Sequence, residues 1–223
     1  LFGFVAEEGK TVDINILDRI AINTMTRGPH SWGIAWVNRS GKLRMFKKTG
    51  RVIDYLGLIE SLAHDATMLI GHCRYATHGD PKNNLNNHPH PCDGGWIVHN
   101  GQIRHHKDIV LGYGLSTHTD CDSEVFGLMI EESEGTLLER VTQSLTVCRG
   151  VRPISALGLW RNSLVVAKDN GQPLHCGESD SGYYLASLAE GLRDDCWNVQ
   201  PFRDGEVICF GSHSLTENTG VYA

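Results

Sequence analysis

Long apolar runs and basic clusters are both missing from this 223-residue chain. No apolar run approaches the roughly 20 residues that a membrane-spanning helix needs, and no basic and apolar leader opens the sequence. Lysine and arginine form no run, and the net charge is −6 with an isoelectric point near 6.0. We therefore expect neither a membrane segment nor a nucleic-acid partner.

Cysteines are present but do not form the pattern of a disulfide framework. The seven are odd in number, and no two have the CxxC spacing. A chain of this length buries a sizeable core without cross-links, so we expect free thiols in a reducing, cytoplasmic compartment. The chain begins at Leu1 rather than at methionine, and we expect residues upstream to have been cleaved or left out of the sequence.

Neither a repeat nor a Pro/Ser-rich linker divides the sequence, so we expect a single domain over residues 1–223. Apolar spacing predicts helices at Val12–Thr26, Val52–Ala63, Asp122–Glu132 and Thr136–Cys148. Strands are predicted over residues 1–6, 31–37, 43–47, 67–73, 96–103, 156–160, 163–168, 183–187 and 207–211. This pattern favours an α+β domain of two antiparallel sheets covered by helices.

The segment IGHCRYATHG (70–79) supplies groups that suit a carboxylate ligand. Arg74 ends a predicted strand, where its guanidinium can hold a carboxylate in a bidentate fork. A structural salt bridge is an equally good interpretation of this arginine. The following turn, Thr77–Pro81, offers a hydroxyl and backbone N–H groups, although the same residues also suit a plain loop.

Asn100-Gly101 and Asp122 each allow a structural and a functional interpretation. The Asn-Gly step predicts a hairpin turn within Trp96–Ile103, because both residues tolerate positive φ. It can also direct a side-chain N–H and a backbone N–H at one point, as an oxyanion hole requires. Asp122 opens a predicted helix, where it either caps the helix or pairs with a ligand ammonium.

His88 and His90 have the His-x-His spacing that can chelate a metal ion. No third and fourth ligand at a familiar spacing follows them, and Pro89 between them restricts their approach. Residues 118–122, HTDCD, also contain side chains that can bind a metal ion, and we interpret them in the same way. We therefore interpret these histidines as structural and expect no metal.

Five ordered motifs resemble those of the class II glutamine amidotransferases. This family includes the glutaminase domains of amidophosphoribosyltransferase, hexosamine phosphate synthase, asparagine synthetase and glutamate synthase. Looser counterparts over 166–174 and 183–192 extend the resemblance to nearly the whole chain. It implies a four-layer αββα sandwich of the N-terminal-nucleophile hydrolase type. The five motifs are RGPHSWGIAW (27–36), IGHCRYATHG (70–79), NNHPH (86–90), IVHNGQI (97–103) and DSEV (122–125).

The resemblance implies a site that binds both ends of L-glutamine. Arg74 would bind the α-carboxylate, helped by Thr77 and by the backbone near Tyr75. Asp122 would receive the α-ammonium group. His78 would lie behind these groups and would support the residues that bind the substrate.

The resemblance also implies the groups that act at the γ-amide. Asn100 and Gly101 would form the oxyanion hole for the tetrahedral intermediate, and Arg27 would support the nucleophile's end of the site. The reaction would need no metal and no organic cofactor.

The sequence departs from the family pattern at two places. His30 stands where many members carry aspartate, which predicts a rearranged hydrogen bond. More importantly, the nucleophilic cysteine is absent, and by alignment it belongs two positions before Leu1. Its free α-amino group would serve as the base for its own thiol. Cys73 adjoins Arg74 but, in a strand, would point to the opposite face, so we do not expect it to replace the nucleophile.

The function expected from this resemblance is hydrolysis of glutamine to glutamate and ammonia through a cysteine thioester, conditional on the missing cysteine. Two alternatives stay open: a relative without a nucleophile that binds ligands or protein partners, and a hydrolase of another γ-glutamyl amide. No acceptor domain is recognisable in the chain. The ammonia acceptor is therefore expected on a separate synthase subunit or on a part of the protein outside this sequence.

Overall fold

Two antiparallel β-sheets face each other in the computed structural model, which describes residues 1–150, 153–211 and 214–218. The strands are β1 (Phe2–Ala6), β2 (Ser31–Asn38), β3 (Leu43–Thr49), β4 (Ala66–Arg74), β5 (His90–Cys92), β6 (Gly95–Asn100), β7 (Ser155–Trp160), β8 (Ser163–Lys168), β9 (His175–Ser179), β10 (Gly182–Ala186), β11 (Trp197–Pro201), β12 (Val207–Gly211) and β13 (Ser214–Asn218).

Each sheet combines strands that are distant in sequence. The first has the order β11-β9-β10-β1-β4-β2-β3, and the second has the order β13-β12-β8-β7-β6-β5. Within the described residues, every pair of neighbouring strands is antiparallel.

Helices cover the outer face of each sheet. They are α1 (Ile14–Met25), α2 (Leu56–Ala63), α3 (His106–Tyr113), α4 (Glu124–Glu132) and α5 (Leu137–Cys148). One apolar core joins α1 and α2 to the first sheet, and a second joins α3, α4 and α5 to the other sheet. A third core fills the space between the sheets. These layers confirm the predicted αββα sandwich.

Strand β1 shows how the sequence fills two layers at once. Successive side chains of a strand point to opposite faces of the sheet. Phe2 and Phe4 accordingly pack in the core with α1, whereas Leu1 and Val5 pack between the sheets. Gly71 pairs with Phe2 across the strands, and a Cβ atom there would lie 2.2 Å from the Phe2 ring. The neighbouring strand therefore needs glycine at this position.

Several predicted elements are confirmed and three need correction. The hairpin of β2 and β3 forms as predicted. The strand pair predicted within Trp96–Ile103 is wrong: β6 ends at Asn100 and pairs with β5 and β7 instead. The chain then enters α3, which the apolar spacing did not predict. The helix predicted over Val52–Ala63 begins with a separate 3-10 turn at Val52–Tyr55.

The third correction concerns the start of α4. Ser123, not Asp122, occupies the N-cap position, and the helix begins at Glu124. The Asp122 carboxylate instead accepts a hydrogen bond from the backbone N–H of Ile103, which follows β6. A tertiary contact has therefore taken the side chain that local rules assigned to a cap.

Among the described residues, no helix combines the length and the apolar character that crossing a bilayer would need. The seven cysteines all lie in the described part of the chain, and no disulfide joins them.

The core between the sheets should contribute strongly to the stability of the fold. Leu157 on β7 is fully buried there. We expect Leu157→Ala to lower the free energy of unfolding by about 2–5 kcal/mol, because it removes buried methyl groups and leaves a cavity. Urea unfolding followed by circular dichroism measures this change. The matched control Leu111→Ala, at a side chain that is 84% exposed on α3, should change it by less than about 0.5 kcal/mol. Equal effects of the two substitutions would contradict the assigned core.

Candidate functional site

A cavity of about 340 Å³ lies where β4 of the first sheet and β6 of the second end. Seven of the eight predicted site residues line it: Arg27, Arg74, Tyr75, Thr77, Asn100, Gly101 and Asp122. His78, the eighth, is not among the lining residues. Its side chain lies 3.8 Å from the Asp122 carboxylate, and its carbonyl oxygen accepts a hydrogen bond from Arg74.

The Arg74 guanidinium is buried, being only 3% exposed, and is held by neutral oxygen acceptors. Nη1 donates to Asn87 Oδ1 at 2.9 Å, and Nη2 donates to the carbonyl oxygens of His78 and Gly79. Among the described residues it forms no ion pair, so the salt-bridge interpretation of this arginine is wrong. A buried cation without a carboxylate partner is costly. The cavity beside it therefore suits an anionic ligand.

Asp122 supplies the opposite charge in the same cavity. It is 3% exposed, and Oδ2 accepts the hydrogen bond from Ile103 at 2.7 Å. No lysine or arginine in the described parts of the chain pairs with it. Arg74 Nη2 and Asp122 Oδ1 each lie 3.9 Å from the Cys121 sulfur atom. The two charges are thus close enough to bind the two ends of one small zwitterion.

The loop before Asp122 is held by a buried glutamate. Glu124 accepts hydrogen bonds from the backbone N–H groups of His118 and Thr119 and from the Thr119 hydroxyl. Ser123 bonds to the ring of buried His99 at 2.8 Å, which ties this loop to β6. Asp122 is therefore positioned from the helix that follows it and from the neighbouring sheet.

Asn100 and Gly101 lie at the end of β6, beside the cavity. Asn100 Nδ2 donates to Gln172 Oε1 at 3.2 Å, which leaves its second N–H for another acceptor. Gly101 has a φ of 129°, and a Cβ atom there would lie 2.6 Å from the Pro153 carbonyl oxygen. The turn into the following loop thus requires glycine, although it is not the predicted hairpin turn.

The backbone nitrogen of Leu1 also reaches the cavity. It is buried and donates to Ser187 Oγ at 2.8 Å. Burial and, to a smaller degree, the positive charge of Arg27 lower the pKa of this ammonium group to about 5. Residues joined ahead of Leu1 would turn this nitrogen into an amide and would enter the cavity at this point.

The structure places both His30, which departs from the family pattern, and Cys73, which we did not expect to replace the nucleophile. His30 Nδ1 accepts the backbone N–H of Ala76 at 3.0 Å, and its ring packs 4.9 Å from the ring of Tyr75. Cys73 points toward α1, with its sulfur 3.5 Å from the Ala21 carbonyl oxygen, while Arg74 points to the opposite side. Burial raises the pKa of the Cys73 thiol to about 12, which disfavours a thiolate nucleophile there.

Sequence reasoning missed three residues that shape the site. Gln172 and Ser187 lie in the looser segments 166–174 and 183–192, so their place along the chain was a usable signal. Asn87 lies in the motif NNHPH, of which only the histidines were considered, as metal ligands. Its side chain accepts from Ser31 and Arg74 and donates to the Pro81 carbonyl oxygen, contacts that no local pattern reveals.

No protein-family model matches the chain. The chain is 31% identical over 200 residues to the glutamine–fructose-6-phosphate aminotransferase (isomerizing) of Geobacillus kaustophilus. That match covers 86% of this chain and 33% of the relative. The chain therefore spans about a third of the length of this curated relative.

Solved structures share the fold. The glutamine phosphoribosylpyrophosphate amidotransferase of B. subtilis, complexed with ADP and GMP, has a TM-score of 0.75 at 23% identity. The similarity covers 94% of this chain and 46% of that one. A glutamine aminotransferase class-II domain protein from Silicibacter pomeroyi has a TM-score of 0.61 at 13% identity, and the similarity covers 95% of this chain and 94% of that one.

Asn87 should be essential to the packing around Arg74. It is fully buried, and Asn87→Ala leaves the Arg74 guanidinium and the Ser31 hydroxyl without this acceptor. We expect a loss of about 2–4 kcal/mol in the free energy of unfolding, since buried donors lose their partners. Asn170→Ala, at an exposed asparagine, is the control and should stay within about 0.5 kcal/mol. Chemical unfolding of both variants checks this, and an unchanged stability of Asn87→Ala would contradict the assigned role.

Proposed function

The chain belongs to the class II glutamine amidotransferase family, and from this premise we propose that it is a glutaminase domain that hydrolyses L-glutamine to glutamate and ammonia. One observation carries the proposal: a buried guanidinium and a buried carboxylate line one cavity. Among the described lysine, arginine and acidic side chains, neither group has an ion-pair partner of opposite charge. The α-carboxylate and α-ammonium groups of an amino acid would pair with these two charges.

We assign each end of glutamine to a residue on this basis. Arg74 binds the α-carboxylate through donors that its internal hydrogen bonds do not use, with Thr77 and the backbone near Tyr75 at the cavity wall. Asp122 binds the α-ammonium group, and His78 supports it from behind. The γ-amide then extends toward the end of β6 and Leu1.

The attacking thiol belongs to a cysteine two positions before Leu1. The Leu1 nitrogen already lies in the cavity, and two further residues extend at most about 7 Å. That distance keeps the expected cysteine close to Asn100 and Gly101. Arg27, which also lines the cavity, would support this end of the site.

The reaction follows from these positions. The α-amine of the cysteine takes the thiol proton, and the thiolate sulfur bonds to the γ-carbonyl carbon. The oxyanion accepts hydrogen bonds from the Asn100 side chain and the Gly101 backbone. The C–N bond breaks, and the departing amine takes the proton and leaves as ammonia. Water then hydrolyses the γ-glutamyl thioester, which releases glutamate and restores the thiol.

The fate of the ammonia lies beyond the described residues. We propose that residues 1–223 form one glutaminase domain and that the ammonia acceptor is a separate synthase subunit or another part of a longer protein. The chain spans only about a third of its curated relative, which supports an acceptor elsewhere. Seven cysteines without a disulfide support a cytoplasmic location.

The nucleophile is tested by placing Cys-Gly ahead of Leu1 as the mature terminus. We expect this protein to release ammonia from glutamine, and a matched protein with alanine in place of that cysteine to release none while still binding glutamine. Ammonia release and calorimetric glutamine binding are the two measurements.

Other outcomes identify the alternatives. Glutamine binding without ammonia release by the cysteine-bearing protein would contradict the enzyme and favour a binding relative. Faster release of another γ-glutamyl amine would contradict glutamine as the substrate. Intact-mass analysis of the native protein that found Leu1 as its mature terminus would also contradict the thiol mechanism.

The ammonium site is tested with Asp122→Ala in the same cysteine-bearing protein. We expect the KM for glutamine to rise about 100-fold, because the variant loses a buried charge pair with the substrate. Asp108→Ala, at an exposed carboxylate of α3, is the control and should leave KM unchanged. An unchanged KM for Asp122→Ala, with circular dichroism showing a folded protein, would refute this role.

A further inference from the structure

A cluster of metal-ligating side chains lies against the site and has no part in the proposed reaction. One ring nitrogen from each of His88 and His90 and the sulfur of Cys121 all lie within 4.8 Å of one another. All three residues are buried, at 4%, 0% and 4% exposure. The two rings are 4.8 Å apart between centroids, so the expectation that Pro89 restricts their approach is wrong. The cluster combines the start of β5 and the residue pair before it with the loop that precedes α4.

The histidines of this cluster have unused hydrogen-bonding capacity. Within the described parts of the chain, no ring nitrogen of His88 or His90 has a hydrogen-bond partner. Leaving a buried polar atom without a partner costs about 1–3 kcal/mol. One bond from each ring to a shared ion would satisfy one nitrogen of each. This points to a ligand rather than to histidines that only fill space.

The chemistry of the three groups suits metal ligation. An imidazole nitrogen that carries no proton keeps the lone pair that a metal needs. A cysteine binds as the thiolate, so an ion that takes the sulfur displaces its proton.

The backbone around the ligands is fixed. Lys47 Nζ donates to the carbonyl oxygens of Asn87 and Pro89 at 2.6 and 3.0 Å, which holds both sides of His88. The backbone N–H of Cys121 donates to the Thr119 hydroxyl at 3.1 Å. The three ligands are therefore held in place before any ion arrives.

We propose that His88, His90 and Cys121 bind a thiophilic metal ion, Cu(I) in preference to Zn²⁺. A thiolate selects soft ions such as Cu(I) or zinc. Structural zinc is almost always four-coordinate, and the described residues supply only three ligands to this cluster. Cu(I) with one thiolate and two imidazoles carries no net charge, whereas Zn²⁺ leaves one positive charge. Arg74 Nη2 and Asp122 Oδ1 each lie 3.9 Å from the sulfur, so a neutral copper complex would add no charge beside these two opposite charges.

The ion has a route to this site. His88 and Cys121 line the cavity described above, while His90 is fully buried behind them. An ion that enters the cavity therefore meets two of the three ligands directly. Binding there does not depend on glutamine hydrolysis, so the proposed site stands even if the chain proves to have no glutaminase activity.

Copper binding is tested with the full reduced chain under anaerobic conditions. Cu(I) is supplied as its bicinchoninate complex, whose colour is lost when the protein takes the ion. We expect one equivalent to bind tightly, and Cys121→Ser and His90→Ala each to weaken binding at least about 100-fold, since each removes one of three ligands. Cys176→Ser removes a half-buried thiol outside the cluster and is the control, with unchanged affinity expected.

Three results would overturn the site. They are binding of Cu(I) by Cys121→Ser as tight as that of the unmodified chain, loss of affinity in Cys176→Ser, and tighter binding of Zn²⁺ than of Cu(I). X-ray absorption of the copper-loaded unmodified protein avoids any dependence on how well the variants fold. One sulfur and two nitrogen neighbours are expected, and two or more sulfur neighbours would reject the assignment.

Discussion

The burial of the Arg74 guanidinium is the constraint around which the rest of the site is arranged. A buried cation must be compensated, and here carbonyl oxygens and the Asn87 amide hold it without neutralising it. Because those acceptors come from residues 78–87, the loop after β4 must fold back over the end of its own strand. The charge that stays uncompensated in the cavity is the basis for the proposed binding of a carboxylate there.

The same loop ties together three strands of the first sheet. Asn87 joins Ser31 on β2 to Arg74 on β4, and Lys47 on β3 bonds to the backbone on either side of His88. The histidines that follow lie close to Cys121, which precedes the Asp122 carboxylate. The proposed zwitterion site and the proposed copper site thus share one wall, because the loop that orders the arginine also buries the imidazoles.

The sequence predicted much of this arrangement, for identifiable reasons. Helix and strand spacing located most elements, and the ordered motifs gave the αββα layers and eight site residues, seven of which line the cavity. The failures came where a distant partner overrode a local rule. The Asn100-Gly101 step suits a hairpin locally, but β7 pairs with the strand before it and the chain leaves for α3. Asp122 suits an N-cap, but Ile103 takes its carboxylate.

By itself, the sequence determined which chemical groups are present, their order along the chain and the periodicity that assigns them to strands and helices. Only the tertiary structure decided which of those groups lack partners. Whether Arg74 forms a salt bridge, or whether His88 and His90 reach Cys121, depends on contacts between residues far apart in the chain. Burial and the distance between charges are properties of the packed molecule, and they set the free energy with which a ligand can pair with each group.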